Sequence, residues 1–333
     1  MAEMKVSVVM PAYNAAQYIE QSVKALLKQT LRDFEIIVVD DCSTDTTWTI
    51  LKAISSKEKR LRAFRLQENS GSAKYPRDYA VSQALSPWIC WIDSDDIVPD
   101  DYLERLCGRQ QETKADIVCS TMQAFSADAP CRYLLPREDF DISQVVEGEK
   151  AVMWTVGVKW TINLNGCMVR KTIWENSTHF LNKHVLHMNA DDYAGRDMLL
   201  QARRVAFSPV RYHYRCHQES ITKAISSKLF EPLITDEMTV QLFEKRFGKE
   251  SAEVKEAWHQ YFSHWVSMSR IYVVKKTNFT DDNYQRAYSL LRRHHGLFPL
   301  VEVMRDEQLP VVAKVLFAMP LSVALWLVKL INR

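Results

Sequence analysis

Short β-branched apolar runs alternate along the first half of the chain with stretches that carry apolar residues every three or four positions. Val6 to Met10, Ile36 to Val39, Leu61 to Leu66, Trp88 to Ile92 and Asp116 to Ser120 predict strands. Between them lie four predicted helices. The first follows Asn14 as cap and turns Ile19, Val23, Leu26 and Leu27 inward. The second runs from Thr44 to Ile54, capped by Ser43 or Thr44, with Trp48, Leu51 and Ile54 inward. Pro76 to Leu85 and Tyr102 to Arg109 complete the set. This alternation predicts an α/β fold, a parallel sheet covered on both faces, with ligands beyond the carboxyl ends of the strands. Tyr13-Asn14, Asp40-Asp41 and Asp93-Ser94-Asp95-Asp96 all stand at such ends. From about Leu229 the pattern becomes helical throughout, as in Trp258, Phe262, Trp265 and Tyr272. The expected division is an α/β domain over 1–225 and a helical region over 226–333.

Composition narrows the function classes. The 333 residues are 47% hydrophobic and 25% charged, enough apolar material for a large core. Lys and Arg number 43 against 41 Asp and Glu, so the net charge of +2 offers no electrostatic footprint for nucleic acid. Seven cysteines are scattered without a C-x-x-C pair, which predicts reduced core thiols and a cytoplasmic setting. The N-terminal apolar run is too short for a signal-peptide core. Near the C-terminus, fourteen uncharged residues separate Lys314 from Lys329 within Val311 to Ile331. That is short of the roughly 20 a bilayer span needs, and Pro320 is expected to kink the helix. Two readings stay open for it. The helix packs on the core, or it lies on a membrane with Lys314, Lys329 and Arg333 near anionic headgroups.

The chemistry concentrates at the strand ends. Three carboxylates in Asp93-Ser94-Asp95-Asp96 are costly to crowd unless a cation sits among them, and a hard divalent ion such as Mg²⁺ or Mn²⁺ bridging to phosphates suits carboxylate oxygens. The plainer alternative is that Asp95 or Asp96 caps the next helix. A carboxylate at Asp40 or Asp41 can accept from a uracil imide N–H, and Tyr13 can lie against a base or ribose. Each alone is more often a turn former.

With those residues in view, the chain resembles the inverting glycosyltransferases of family 2, with the GT-A fold. Val6-Ser7-Val8-Val9-Met10-Pro11-Ala12-Tyr13-Asn14, then Phe34 through Asp45, then Ile92-Asp93-Ser94-Asp95-Asp96 are similar to that family's donor-site motifs in order. The resemblance covers roughly the first two thirds of the chain. It implies that Pro11, Ala12, Tyr13, Asp40 or Asp41, Asp93 and Ser94 meet the nucleotide, and that Asp95 binds the metal. Arg77 matches the arginine of the family's Ala-Arg-Asn-x-Gly, but Asp78 replaces the amide and Ala80 the glycine. Asn189-Ala190-Asp191-Asp192-Tyr193 stands where the family places a Glu-Asp pair, making Asp192 the catalytic base with Asp191 in the glutamate's position. A carboxylate in a first helical turn is held as the anion by the helix dipole. Tyr212 through Thr222 is similar to the family's closing His-x-x-Ser segment, so Arg215, His217 and Ser220 are expected near the diphosphate or its metal.

The resemblance implies an inverting sugar transfer from a nucleotide sugar, UDP-linked by the carboxylate argument, to an acceptor hydroxyl. The acceptor would be a surface polysaccharide, a lipid-linked glycan or a protein, and the apolar C-terminus points toward a lipid-linked one at the inner membrane face. A nucleotidyltransferase would also use carboxylate-bound metal, but the eight glycines form neither G-x-G-x-x-G nor G-x-x-x-x-G-K-[ST]. A sugar-nucleotide-binding protein without turnover is the other alternative, left open by Asp78 and Asp191.

Overall fold

The computed structural model describes residues 5–126, 134–135, 140–156, 165–178, 180, 189–216, 226–275 and 278–331. His217 and Ser220 therefore lie outside the described residues. The described strands are β1 (Val6–Ala12), β2 (Phe34–Asp40), β3 (Leu61–Arg65), β4 (Trp88–Trp91), β5 (Ile117–Phe125), β6 (Leu134–Leu135), β7 (Val145–Val146), β8 (Met168–Arg170) and β9 (Val205–Arg215). They form one sheet in the order β3-β2-β1-β4-β8-β5-β9-β7, with β6 paired to β5. Helices α1 (Ile19–Leu27), α2 (Thr47–Ser55), α3 (Lys74–Ser82) and α4 (Tyr102–Thr113) link the strands up to β5. Later come α5 (Gly148–Val152), α6 (Lys171–Glu175) and α7 (Ala190–Gln201).

Every residue of β1 and β2 is buried, as expected of strands covered on both faces. Burying a Val or Ile side chain contributes about 1.5–3 kcal/mol, so these runs anchor the sheet. In parallel register Ala12 stands beside Asp40, and the Asp41 N–H donates to the Ala12 carbonyl at 2.8 Å, which brings two polar strand ends together.

The sheet departs from the parallel expectation at β8, which runs antiparallel to both β4 and β5. At three residues, β8 is too short for any periodicity to reveal it. Gly166 leads into it at φ +75°, and an added Cβ would fall 2.4 Å from the Tyr102 hydroxyl and from the Tyr212 ring. Its carbonyl accepts from Tyr102 at 2.6 Å, so the close approach is bonded as well as steric. Asn14 does not cap α1, whose N-cap is Tyr18. Its backbone sits at φ 48°, and its side-chain oxygen accepts instead from the Thr44 N–H at 2.9 Å, tying the ends of β1 and β2 together. Helix α2 likewise starts at Thr47, after Asp45 has accepted from the Thr47 N–H at 2.9 Å.

The described residues separate into two compact units. The first holds the sheet, α1 to α6 and α7 from Ala194 onward. The second holds the first turn of α7, Ala190 to Tyr193, and helices α8 (Pro232–Phe247), α9 (Ala252–Val274), α10 (Asp281–His295), α11 (Leu300–Arg305), α12 (Val311–Ala318) and α13 (Leu321–Ile331). In the second unit Ser251 and Thr280 accept from the N–H groups of Val254 and Asn283, capping α9 and α10. Phe262, Trp265, Phe298 and Phe317 form its aromatic core. Pro320 breaks the expected C-terminal helix into α12 and α13 rather than kinking it. Met319, the residue before proline, is held extended at φ −104°, ψ 156°, out of the helical region.

His294 on α10 is fully buried, is hydrogen-bonded through Nδ1 to the Tyr261 hydroxyl, and lies 3.7 Å from Glu237. Burial, helped by Arg293, pushes its imidazole from 6.5 down to about 4. Because the folded state disfavours the charged ring, this contribution is complete above the unfolded value of 6.5 and lost as pH falls toward about 4. Thermal unfolding followed across that window is expected to show a falling midpoint, with a shallower fall in His294→Gln.

Candidate active site

The carboxyl ends of β1, β2 and β4 gather the acidic residues. Asp40, fully buried, is paired with Arg65 at 3.1 Å and accepts from the Ser43 N–H at 3.3 Å. Asp41 accepts from the Ser70 N–H at 2.8 Å and from its hydroxyl at 3.0 Å, fixing the loop after β3. Burial raises its carboxyl above the usual range, against the lowering effect of the Ser70 bonds. Pro11 and Ala12 are buried in the floor of this edge, while Tyr13 is 47% exposed and presents its ring outward.

The crowding of Asp93, Asp95 and Asp96 is relieved in two ways. Arg77 donates to Asp93 Oδ1 at 3.0 Å. Asp96 is 1% exposed and turns to β9, where it accepts from the Tyr212 hydroxyl at 2.5 Å and from the Arg215 N–H at 2.7 Å. Burial first, then the charges of Asp95 and Asp93, push the Asp96 carboxyl well above its ordinary value. Neither Asp95 nor Asp96 caps α4, whose N-cap is Asp101. Ser94 and Asp95 remain half-buried at the turn. Arg215 holds that turn, with Nε donating to the Asp95 carbonyl at 2.6 Å and Nη2 to Gln21 at 2.9 Å. Its guanidinium lies between the rings of Tyr18 and Phe125.

Arg77 is itself set by its surroundings. Its guanidinium lies 4.3 Å over the Trp91 ring, and its Nε, buried, finds no hydrogen-bond acceptor among the described residues. Trp91 meets Trp174 edge-on at 5.3 Å, and the Trp174 Nε1–H donates to Asp78 at 2.8 Å. Asp78 is ion-paired with Lys74 one helical turn earlier, both nearly inaccessible. The family amide that Asp78 replaces is thus answered by a buried cation, which sequence reading missed although the four-residue spacing was visible. Tyr212 and Trp174 carried no local signal of their partners.

Among the described residues no cluster of three or more Asp, Glu, His or Cys could cage a metal. The donor set still fits one kind of ion. Mg²⁺ or Mn²⁺ brought by a nucleotide diphosphate needs only one or two protein carboxylates, and Asp93 and Asp95 both stand half-buried at this turn. Asp191 and Asp192 stand half-buried in the first turn of α7, entered through Asn189 at φ 62°.

Carboxylates and a buried guanidinium at the carboxyl ends of parallel strands stand where an open α/β sheet binds its ligands. Comparison with known proteins names the class. Residues 7–154 match Glycosyl transferase family 2. Glycosyltransferase GlyG of Streptococcus pneumoniae is 30% identical over 225 residues, 66% of this chain and 73% of GlyG. The poly(ribitol-phosphate) beta-N-acetylglucosaminyltransferase TarS of Staphylococcus aureus is 35% identical over 122 residues, 36% of this chain and 21% of TarS. The crystal structure of TarS 1-349 with UDP-GlcNAc superposes with a TM-score of 0.69 at 18% identity, covering 99% of this chain and 89% of that one. The chain belongs to glycosyl transferase family 2.

Proposed function

We propose that the chain transfers a sugar, with inversion at the anomeric carbon, from a UDP-sugar to a hydroxyl of a surface or lipid-linked glycan. The observation that carries this reading is that Ala12, Asp41, Asp93 and Asp95 stand at the carboxyl ends of neighbouring parallel strands, with Arg77 bonded to Asp93. Pro11, Ala12 and Tyr13 receive the nucleoside, and Asp40 or Asp41, positioned at the same strand end by Arg65 and Ser70, reads the uracil. Asp93, held by Arg77, faces the ribose. A divalent cation at Asp95, with His217, supplies electrostatic stabilisation of the departing diphosphate when bound. Ser220 and Arg215 serve the same end of the donor.

Asp192 takes the proton from the acceptor hydroxyl. The acceptor oxygen forms its bond to the anomeric carbon as the bond to the diphosphate oxygen breaks, and that electron pair leaves with UDP. Asp191, its neighbour, holds the position of the glutamate in the family's Glu-Asp pair. A GlcNAc-type donor and a polyol-phosphate or polysaccharide acceptor are supported by the TarS likeness. The setting is the cytoplasmic face of the cell membrane.

Calorimetric titration with UDP, GDP and dTDP tests the donor site. UDP is expected to bind most tightly, more so with Mn²⁺, and Asp95→Asn to lose the gain from metal while keeping metal-free binding. Equal affinity for all three nucleotides, unmoved by metal, would overturn the reading.

A further inference from the structure

We propose that the outward faces of α12 and α13 form a docking surface for an anionic lipid bilayer. The inward faces of these helices, Ala313, Leu316 and Phe317 on α12 and Leu321, Ala324, Leu325 and Val328 on α13, are buried. The opposite faces are apolar too. Val311, Val312 and Val315 on α12 and Val323, Trp326 and Leu330 on α13 stand exposed, Val311 at 75% and Trp326 at 58%. A helix apolar all round requires a second apolar partner, and contiguous exposed apolar surface marks an interaction site.

Charge selects the partner. From Gln308 to Arg333 there is no acidic residue, while Lys314 on α12 donates to the Met304 carbonyl at 3.1 Å and Lys329 on α13 stands exposed. Such a surface suits anionic headgroups. A second copy of the chain fits it poorly, because a two-fold contact through the same patch brings lysines of one copy toward those of the other. Eight and eleven residues give helices of about 12 and 17 Å, well below the roughly 30 Å hydrocarbon thickness, so they lie in the interface rather than cross it. Among the described residues no helix is long and apolar enough to span a membrane. Exposed Trp326 is of the residue type that settles at headgroup depth. The proposal deepens the reading of a membrane-borne acceptor and rests on it for its purpose, whereas the binding itself stands on these helices alone.

The test is co-sedimentation of the full chain with vesicles of phosphatidylcholine, with and without phosphatidylglycerol. The protein is expected to pellet with the phosphatidylglycerol vesicles, and Lys329→Gln to weaken that partition about fivefold. Val312→Glu/Trp326→Glu, both at exposed positions, is expected to stay in the supernatant with an unchanged unfolding temperature. Wild-type protein that ignores the anionic vesicles, or binds both kinds equally, overturns the proposal. So does a dimer, seen by light scattering, that the double variant dissolves, because the occupant is then a second copy. UDP release from a donor sugar, measured without vesicles, keeps the two readings apart. Its absence counts against the transferase proposal and leaves the sedimentation result standing.

Discussion

Asp192→Asn is expected to lower kcat for sugar transfer by about 10²- to 10⁴-fold, the range a positioned general base contributes. Asparagine has the carboxylate's shape and keeps the backbone bond from residue 192 to the Asn189 carbonyl, 3.1 Å in the wild type, so the first turn of α7 stays intact. It cannot take up a proton. The loss therefore belongs in kcat, with UDP affinity unchanged and the acid limb of the pH–rate profile gone. Asp191→Asn, tested beside it, keeps the base and is expected to retain most of the rate. A drop in UDP affinity equal to the drop in rate would instead give Asp192 a structural role, and an unchanged kcat would place the base elsewhere.

Lys74→Met is expected to destabilise the fold by about 3–5 kcal/mol, the usual cost of removing one partner from a buried ion pair. Lys74 and Asp78 are 3% and 1% exposed at their side chains, so the remaining carboxylate would stay in the interior without its cation. Burial already holds the Lys74 ammonium below its ordinary pKa, against the pull of Asp78, so the site is expensive to charge even when paired. Lys74→Met/Asp78→Asn removes both charges and keeps an acceptor for the Trp174 Nε1–H. That double variant is expected to recover most of the stability in urea unfolding. Because Trp174 packs on Trp91, and Trp91 carries Arg77, the single variant is also expected to loosen Asp93 and raise KM for the donor. Equal destabilisation in single and double variants would mean the charge is not what matters there.

Much of the sheet was legible because β1 and β2 are buried on both faces, and burial on both faces writes itself as unbroken β-branched runs. The donor-site motifs were legible for a related reason, since each follows such a run directly. Partners distant in sequence were not. The Tyr212–Asp96 bond joins residues 116 apart, and no local pattern marks either as half of a pair. The crowding of three aspartates pointed to a divalent cation; in the fold Arg77 pairs with Asp93, and Asp96 leaves the cluster by burial. Asp78 read as a departure from the family pattern, and only the fold shows that Lys74 and Trp174 answer it. Pro320 was visible, yet whether it bends or ends a helix depends on packing beyond its neighbours. Here Leu316 and Leu321, on either side of it, are each buried, and the chain turns between them.

The central claim is tested most directly by nucleotide release from a panel of UDP-, GDP- and dTDP-sugars with Mn²⁺ or Mg²⁺, in the presence of membrane-derived glycan acceptors, comparing wild type with Asp95→Asn. Metal-dependent release of UDP from one sugar donor, with transfer to acceptor and loss of both in the variant, is the predicted result. Donor binding without release across the full acceptor range, or release that Asp95→Asn leaves untouched, would contradict the account.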